Sequence, residues 1–134
     1  MRKSCVPLLF ILILVFSIFT FDAAFCEDVK AGKHETGKMK WEGRERTFWV
    51  YTPRNAKDSK KIPLILCLHG GGGAGKGMIK LTRMGFERIA DREGFIIVYP
   101  DGVERRWNDG RGIQRYRAHK EGIDDVGFLS ALID

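Results

Sequence analysis

The chain has 134 residues and a formal net charge of +6 at pH 7, and its composition is 44% hydrophobic and 30% charged. Acidic residues are interspersed with the basic ones, which is typical of a solvated surface and argues against a nucleic-acid-binding protein. No group of His, Cys, Asp and Glu has the spacing of metal ligands, so the sequence predicts neither a metal nor an organic cofactor.

The first 26 residues have the pattern of a secretory signal peptide. Arg2 and Lys3 precede an apolar run over residues 6–21, and the small Ala24 stands at the third position back from a cleavage site after Cys26. A membrane-spanning helix needs roughly 20 apolar residues, so this shorter run favours a cleaved leader over a membrane anchor. The sequence therefore predicts a mature chain that starts at Glu27 and is secreted to the extracellular space or the periplasm.

Residues 41–52 predict an antiparallel β-hairpin. Gly43 can supply the turn, and residues 47–52 are aromatic or β-branched, as is favoured in strands. Pro53 is expected to end the second strand, because proline cannot donate a hydrogen bond to a neighbouring strand.

A strand, a helix and a second strand are predicted next. Residues 62–68 are an apolar run of strand length that contains Cys67, the single cysteine of the predicted mature chain, which we expect to be buried. Apolar spacing predicts a helix over residues 78–92 that ends at Gly94, and residues 95–99 form the second strand. Such units are parallel and right-handed, so the predicted fold class is α/β, with ligands at the carboxyl edge of the strands.

The last predicted element is a helix that begins near Asp124 and Asp125, whose carboxylates suit the positive amino end of a helix. Before it, residues 105–106 and 111–120 form the densest basic patch of the chain. We interpret this patch, including His119, as a wet surface, and its alternative role is to attract an acidic substrate or polymer.

Four glycines follow the first apolar strand, directly after His69: Gly70, Gly71, Gly72 and Gly73. Without a Cβ atom, glycine lets backbone N–H groups approach a ligand closely. A loop of this type donates one N–H group to the oxyanion of acyl transfer in α/β-hydrolases. The motif therefore predicts an oxyanion-hole loop.

No catalytic serine is recognised in the chain. The nucleophile-elbow pattern Gly-x-Ser-x-Gly is absent. Ser59 lies in a polar linker, and Ser130 lies within the amphipathic pattern of the last predicted helix.

The glycines also allow a phosphate-binding loop as a rival interpretation. Residues 70–76 fit Gly-x-x-x-x-Gly-Lys, but Gly77 stands where that loop needs Ser or Thr to hold Mg²⁺. A secreted protein also meets little nucleotide, so the oxyanion-hole interpretation is favoured.

The order and spacing of these pieces resemble secreted α/β-hydrolases of the polyhydroxybutyrate depolymerase and feruloyl esterase type. The resemblance covers residues 46–134 and rests on four segments: residues 63–73, 86–102, 107–108 and 124–129. It implies that residues 27–134 are the amino-terminal portion of an α/β-hydrolase domain, a β-hairpin followed by a parallel βαβ unit. The portion is expected to be incomplete, because such a domain runs to about 250 residues.

The resemblance also implies a serine esterase or depolymerase acting on a carboxylic ester, either a polyester or a plant polysaccharide ester. The backbone N–H of Gly71 or Gly72 is the implied oxyanion donor, His69 and Gly70 shape the loop, and Trp107 lines the substrate pocket. In this family the serine, acid and base come later in the chain, so this chain is expected to be inactive alone.

Two other hypotheses stay open. The chain is a decayed or non-enzymatic secreted protein, or it is self-sufficient through a histidine acting beside an aspartate: His69 or His119 with Asp101 or Asp125. The self-sufficient hypothesis is less favoured, because a histidine at a glycine turn more often packs or bonds locally.

Overall fold

The computed structural model describes residues 32–56 and 61–134, so the predicted signal peptide and Ser59 lie outside the described residues. The described residues form a four-stranded mixed sheet with short helices between and after its strands. The strands are β1 (Lys33–Trp41), β2 (Arg44–Thr52), β3 (Leu64–Leu66) and β4 (Ile96–Pro100). The helices are α1 (Gly75–Leu81), α2 (Gly85–Glu93), α3 (Arg117–Lys120) and α4 (Asp125–Ala131), and a 3₁₀ turn spans Val103–Arg105. No helix in this part of the chain is long and apolar enough to cross a membrane.

The predicted β-hairpin is confirmed. β1 and β2 pair antiparallel over nine residues each, beginning with Lys33 opposite Thr52. The turn residues Glu42 and Gly43 have φ of 48° and 74°, the positive values that the common two-residue hairpin turn requires. β1 reaches further upstream than its polar sequence indicated, because it is stabilised by pairing with β2.

The parallel strand–helix–strand unit is also confirmed. β3 runs parallel to β4, with Leu64 opposite Ile96. β4 pairs antiparallel with β2, so the spatial order of the sheet is β1-β2-β4-β3. The carboxyl ends of β3 and β4 therefore lie at the same edge, where open α/β sheets bind ligands.

The single helix predicted over residues 78–92 is wrong, because the chain breaks between α1 and α2. Arg83 and Met84 at the break have left-handed backbone, with φ of 50° and 56°. The Thr82 hydroxyl donates back to carbonyl oxygens of the preceding turn at 2.9 and 3.3 Å, and such side-chain bonds compete with a regular helix. The predicted end of the helix is correct, since Gly94 closes α2 with a φ of 79°.

The buried core lies between the sheet and α2. Tyr51, Ile97 and Tyr99 of the sheet and Ala90 of α2 are fully buried, and Cys67 is buried beside them as predicted. Burial raises the pKa of the Cys67 thiol, so that the group stays protonated and unreactive. These buried side chains fix the face of the sheet that packs against α2.

Candidate functional site

Two loops meet at the carboxyl edge of the sheet. The glycine loop, residues 70–74, connects β3 to α1, and the strap, residues 101–108, follows β4. Gly72 N–H donates to the carbonyl oxygen of Arg105 at 2.9 Å, which joins the two loops directly. The predicted oxyanion loop is therefore held by a segment that comes much later in the chain.

His69 is buried, with 3% of its surface exposed, and it bridges the two loops. Its Nε2 atom accepts the backbone N–H of Gly102 at 3.0 Å, so this nitrogen carries no proton. The proton is then on Nδ1, which donates to the carbonyl oxygen of Gly70 at 2.8 Å. Both ring nitrogens are occupied, so His69 holds the shape of the loop and is not placed to act as a base.

Among Gly71, Gly72 and Gly73, one backbone N–H group is left available. Gly72 donates to the strap, and Gly73 donates to the carbonyl oxygen of Gly70 at 2.9 Å, which closes a turn. The N–H of Gly71 has no acceptor among residues 32–56 and 61–134. Of the two amides predicted as oxyanion donors, Gly71 therefore keeps a free N–H group and Gly72 does not.

Trp107 fixes the strap against His69. Its indole Nε1 donates to the carbonyl oxygen of His69 at 2.9 Å, and the two rings pack with centroids 4.9 Å apart. Trp107 also lines a cleft beside the glycine loop. The residue predicted to contact substrate thus packs a turn and faces open space at the same time.

A buried ion pair anchors the end of the strap. Asp125 of α4 bonds to Arg46 of β2 at 2.6 Å, with both side chains less than 5% exposed, and its other oxygen accepts the N–H of Asn108 at 2.6 Å. The sequence suggested only that Asp125 begins a helix, but its carboxylate also holds Arg46 and the end of the strap. Asp124 does cap α4 as predicted, since it accepts the N–H of Gly127 at 2.8 Å.

Asp101 has an organising role that sequence reasoning missed. One carboxylate oxygen accepts the N–H of Gly75 at the start of α1 at 2.7 Å, and the other accepts the Thr47 hydroxyl at 2.7 Å. The Pro-Asp-Gly turn signal after β4 was the available hint. Since Asp101 and Asp125 both serve structural bonds, the described residues offer neither carboxylate as a free partner for a histidine.

His119 is buried, which corrects its expected place on a wet surface. Its side chain is 1% exposed, and its Nε2 lies 3.5 Å from a carboxylate oxygen of Asp109. The short helix α3 turns Ala118 and His119 inward, while the charged residues on either side of them face solvent. Its Nδ1 is buried and has no hydrogen-bond partner among the described residues.

The basic segment after the strap folds over the glycine loop and forms a cleft of ≈ 240 Å³, which we call the arginine cleft. The guanidinium group of Arg106 lies against Gly71 and packs 4.4 Å from the ring centre of Tyr116. The lining residues are Gly71, Arg106, Trp107, Asp109, Arg111, Ile113, Arg115, Tyr116 and His119. The predicted basic patch and the predicted oxyanion loop thus share one cleft.

Two further observations concern metal-ligand and phosphate-loop residues. Residues 32–56 and 61–134 contain no group of three or more His, Cys, Asp or Glu side chains that could hold a metal ion. Lys76, the lysine of the rival phosphate-loop interpretation, places its ammonium 4.9 Å from the ring centre of Trp49.

No protein-family model and no curated protein matches the chain. Among solved structures, it is similar to a CE1 ferulic acid esterase from the anaerobic fungus Anaeromyces mucronatus, with a TM-score of 0.53 and 19% identity over 78% of this chain and 44% of that one. The same esterase without substrate gives a TM-score of 0.52 with 19% identity over 77% and 44%. An S-formylglutathione hydrolase from Agrobacterium tumefaciens matches at 26% identity and a TM-score of 0.45, over 59% and 28%.

The likeness to the ferulic acid esterase establishes the fold. The described residues have part of the fold of that protein, a mixed sheet with helices, which confirms the predicted α/β class at that level. The chain spans less than half the length of each of these structures.

Proposed function

We propose that the chain is part of a secreted serine esterase in which the Gly71 N–H stabilises the oxyanion of ester hydrolysis. The observation that carries this proposal is the Gly71 N–H group, which has no acceptor among the described residues, whereas the amides of Gly72 and Gly73 are already bonded. A donor that is fixed before the reaction stabilises the developing charge without reorganisation, and removing one such donor typically lowers kcat about 10²–10³-fold.

The remaining contacts serve to hold that donor in place. His69 fixes the loop from within through Gly70 and Gly102, and the bond from Gly72 to Arg105 fixes it from the strap. Such support is what a preorganised oxyanion hole requires, because a loop that moved would lose the geometry of the donor.

The attacking serine is assigned to a further segment of the protein. Ser130 lies exposed in α4 and not at a sharp strand-to-helix turn, where a nucleophile of this fold is displayed. The serine, the acid and the base would then join the carboxyl edge of the sheet beside Gly71. Secretion of this esterase rests on the signal-peptide pattern of residues 1–26.

The substrate class we propose is a carboxylic ester of a polysaccharide or a polyester. The ferulic acid esterase of similar fold supports an ester substrate, and one of its two structures is a complex with ferulic acid. Methyl ferulate and oligomers of 3-hydroxybutyrate are the two substrates that separate these possibilities, since one carries an aromatic acyl group and the other an aliphatic one.

The first test is the open reading frame. Reading the gene past the codon for Asp134 should reveal a Gly-x-Ser-x-Gly pattern. A stop codon directly after Asp134 would remove the nucleophile and leave a decayed or non-enzymatic secreted protein as the better account.

The second test is kinetic and uses the full protein with p-nitrophenyl esters. Gly71→Pro removes the proposed donor, and Gly71→Ala keeps the N–H while adding the same contact with the flexible end of Arg106. We expect Gly71→Pro to lower kcat about 10²–10³-fold relative to Gly71→Ala. Equal kcat in the two variants would show that Gly71 is not an oxyanion donor.

A further inference from the structure

We propose that the arginine cleft binds a carboxylate group carried by the ester substrate, with Arg106 as its main contact. This inference rests on the proposed function and narrows it, since it assigns a negative charge to the substrate near the reacting ester. The sequence offered this role for the basic patch only as an alternative to a solvated surface.

The charge of the cleft favours an anion. Three arginines line it, Arg106, Arg111 and Arg115, against one carboxylate, that of Asp109. Asp109 is already paired with Arg111 at 2.6 Å, and this contact lowers the pKa of the Asp109 carboxyl, which keeps it ionised. The cleft therefore has an excess of positive charge that no described side chain of the lining neutralises.

Arg106 is the arginine best placed to contact a ligand. It is half-buried, and no carboxylate of the described residues pairs with its guanidinium group. Packing against the ring of Tyr116 restricts the group, and contact with Gly71 brings it beside the proposed oxyanion donor. A planar guanidinium held in this way suits bidentate binding of a carboxylate.

The two residues before Arg106 have strained backbone, which fixes the direction in which the chain enters Arg106. Glu104 and Arg105 both adopt left-handed backbone, with φ of 47° and 63°, although neither is glycine. Such strain concentrates at functional sites and persists only where surrounding contacts hold it. Here those contacts are the bond from Gly72 to Arg105 and the ion pair of Glu104 with Arg117 at 3.1 Å.

His119 provides a second, independent indication of a ligand. Its ring lines the cleft, its side chain is 1% exposed, and its Nδ1 has no hydrogen-bond partner among the described residues. Buried polar atoms are nearly always bonded, so an unsatisfied one calls for an explanation. Because Nε2 faces the Asp109 carboxylate, Nδ1 is the acceptor nitrogen of the ring, and a water that accompanies a bound carboxylate can donate to it.

The test compares two esters of similar length in the full protein. Mono-(4-nitrophenyl) glutarate carries a free carboxylate, and 4-nitrophenyl valerate does not. We expect kcat/KM to favour the glutarate ester, and Arg106→Gln to lower kcat/KM for that ester by roughly tenfold or more while changing it little for the valerate ester. Arg106→Lys keeps the charge without the planar fork and should recover part of the loss.

Arg92→Gln is the matched control, because Arg92 lies in α2 outside the cleft, is 72% exposed, and pairs with its neighbour Glu93. This substitution should leave kcat/KM unchanged for both the glutarate and the valerate ester. Equal loss for the two esters in Arg106→Gln would assign Arg106 a merely structural role and overturn the proposal. A wild-type preference for the valerate ester would overturn it as well.

A binding measurement separates this inference from the proposed function. Glutarate is titrated into the protein while the fluorescence of Trp107, which lines the cleft, is followed, with Trp107→Phe identifying its signal. Saturable binding that Arg106→Gln weakens supports the cleft even if no ester is hydrolysed, in which case only the esterase proposal fails. An absence of saturable glutarate binding overturns the cleft proposal whatever the kinetics.

Discussion

His69 accepts the backbone N–H of Gly102 at 3.0 Å, and this bond ties the loop after β3 to the strap after β4. The two segments are the carboxyl extensions of neighbouring parallel strands. A side chain that reaches from one to the other fixes both loops at the edge of the sheet where we place the oxyanion hole.

Replacing His69 by Phe should therefore loosen the loop. The ring shape is roughly kept, but the Gly102 N–H loses its partner, while the Gly70 carbonyl oxygen keeps only the bond from the Gly73 N–H. An unsatisfied buried group costs about 1–3 kcal/mol. We expect a lower free energy of unfolding in urea and a lower kcat in the ester assay. A His69→Phe protein with unchanged kcat would contradict the positioning role, whatever its stability.

The buried pair of Arg46 and Asp125 should be the most sensitive ionic contact of the described residues. Asp125→Asn leaves the Arg46 charge buried without its partner, which typically costs about 3–5 kcal/mol. Denaturant unfolding of the single variants and of an Arg46→Met, Asp125→Leu double variant measures this cost. The free energy of unfolding should fall less in the double variant than in Asp125→Asn.

Lys38 and Glu45 are the control pair for that comparison. They are bonded at 2.8 Å, but their side chains are 65% and 62% exposed. Lys38→Gln should change the unfolding free energy by only about 0–1 kcal/mol. Similar decreases in the unfolding free energy of Lys38→Gln and Asp125→Asn would show that burial does not distinguish the two pairs.

Two glycines of α1 should respond in opposite ways to alanine. A Cβ at Gly75 would collide with the backbone carbonyl oxygen of Tyr99, whereas a Cβ at Gly77 would meet nothing within 4 Å. Gly75→Ala should destabilise the protein by about 1–3 kcal/mol, and Gly77→Ala should stabilise it by up to about 1 kcal/mol through helix propensity. Thermal melts of the two variants check this, and equal shifts would be inconsistent with the close approach of α1 to β4.

The buried tyrosines should make the fold sensitive to alkali. Burial, followed by the hydrogen bond to Asp91, raises the pKa of Tyr51 from 10.0 to about 12. Burial and the hydrogen bond to Glu87 raise the pKa of Tyr99 in the same direction. Because the phenol pKa is higher in the folded chain, this stability is fully present below pH 10.0 and is lost as the pH rises towards about 12.

Unfolding curves between pH 9 and pH 12, read together with phenolate absorbance, measure that loss. Tyr51→Phe removes one titrating group and should flatten the decline in stability above pH 10.0. Phenolate formation at Tyr51 with an ordinary pKa of 10.0 and no change in stability would contradict the prediction.

The sequence predicted several elements correctly because their signals are local. The hairpin depends on turn residues that accept positive φ, and Gly94 closes α2 for the same reason. The split helix was missed because the apolar spacing continues across it, while the break depends on Thr82 bonding backwards and on two residues, Arg83 and Met84, in left-handed backbone.

By itself, the sequence determined the hairpin, the two apolar strands that follow it, the position of the glycine loop after the first of them, and the start of α4 at Asp124, because each depends on neighbouring residues. Only the tertiary structure decided that Gly71 and not Gly72 keeps a free N–H group, since the Gly72 N–H donates to Arg105 of a distant segment. It also decided that His119 is buried and that Arg106 lies on Gly71. These facts follow from parallel strands bringing two loops to one edge, an arrangement that no local pattern specifies.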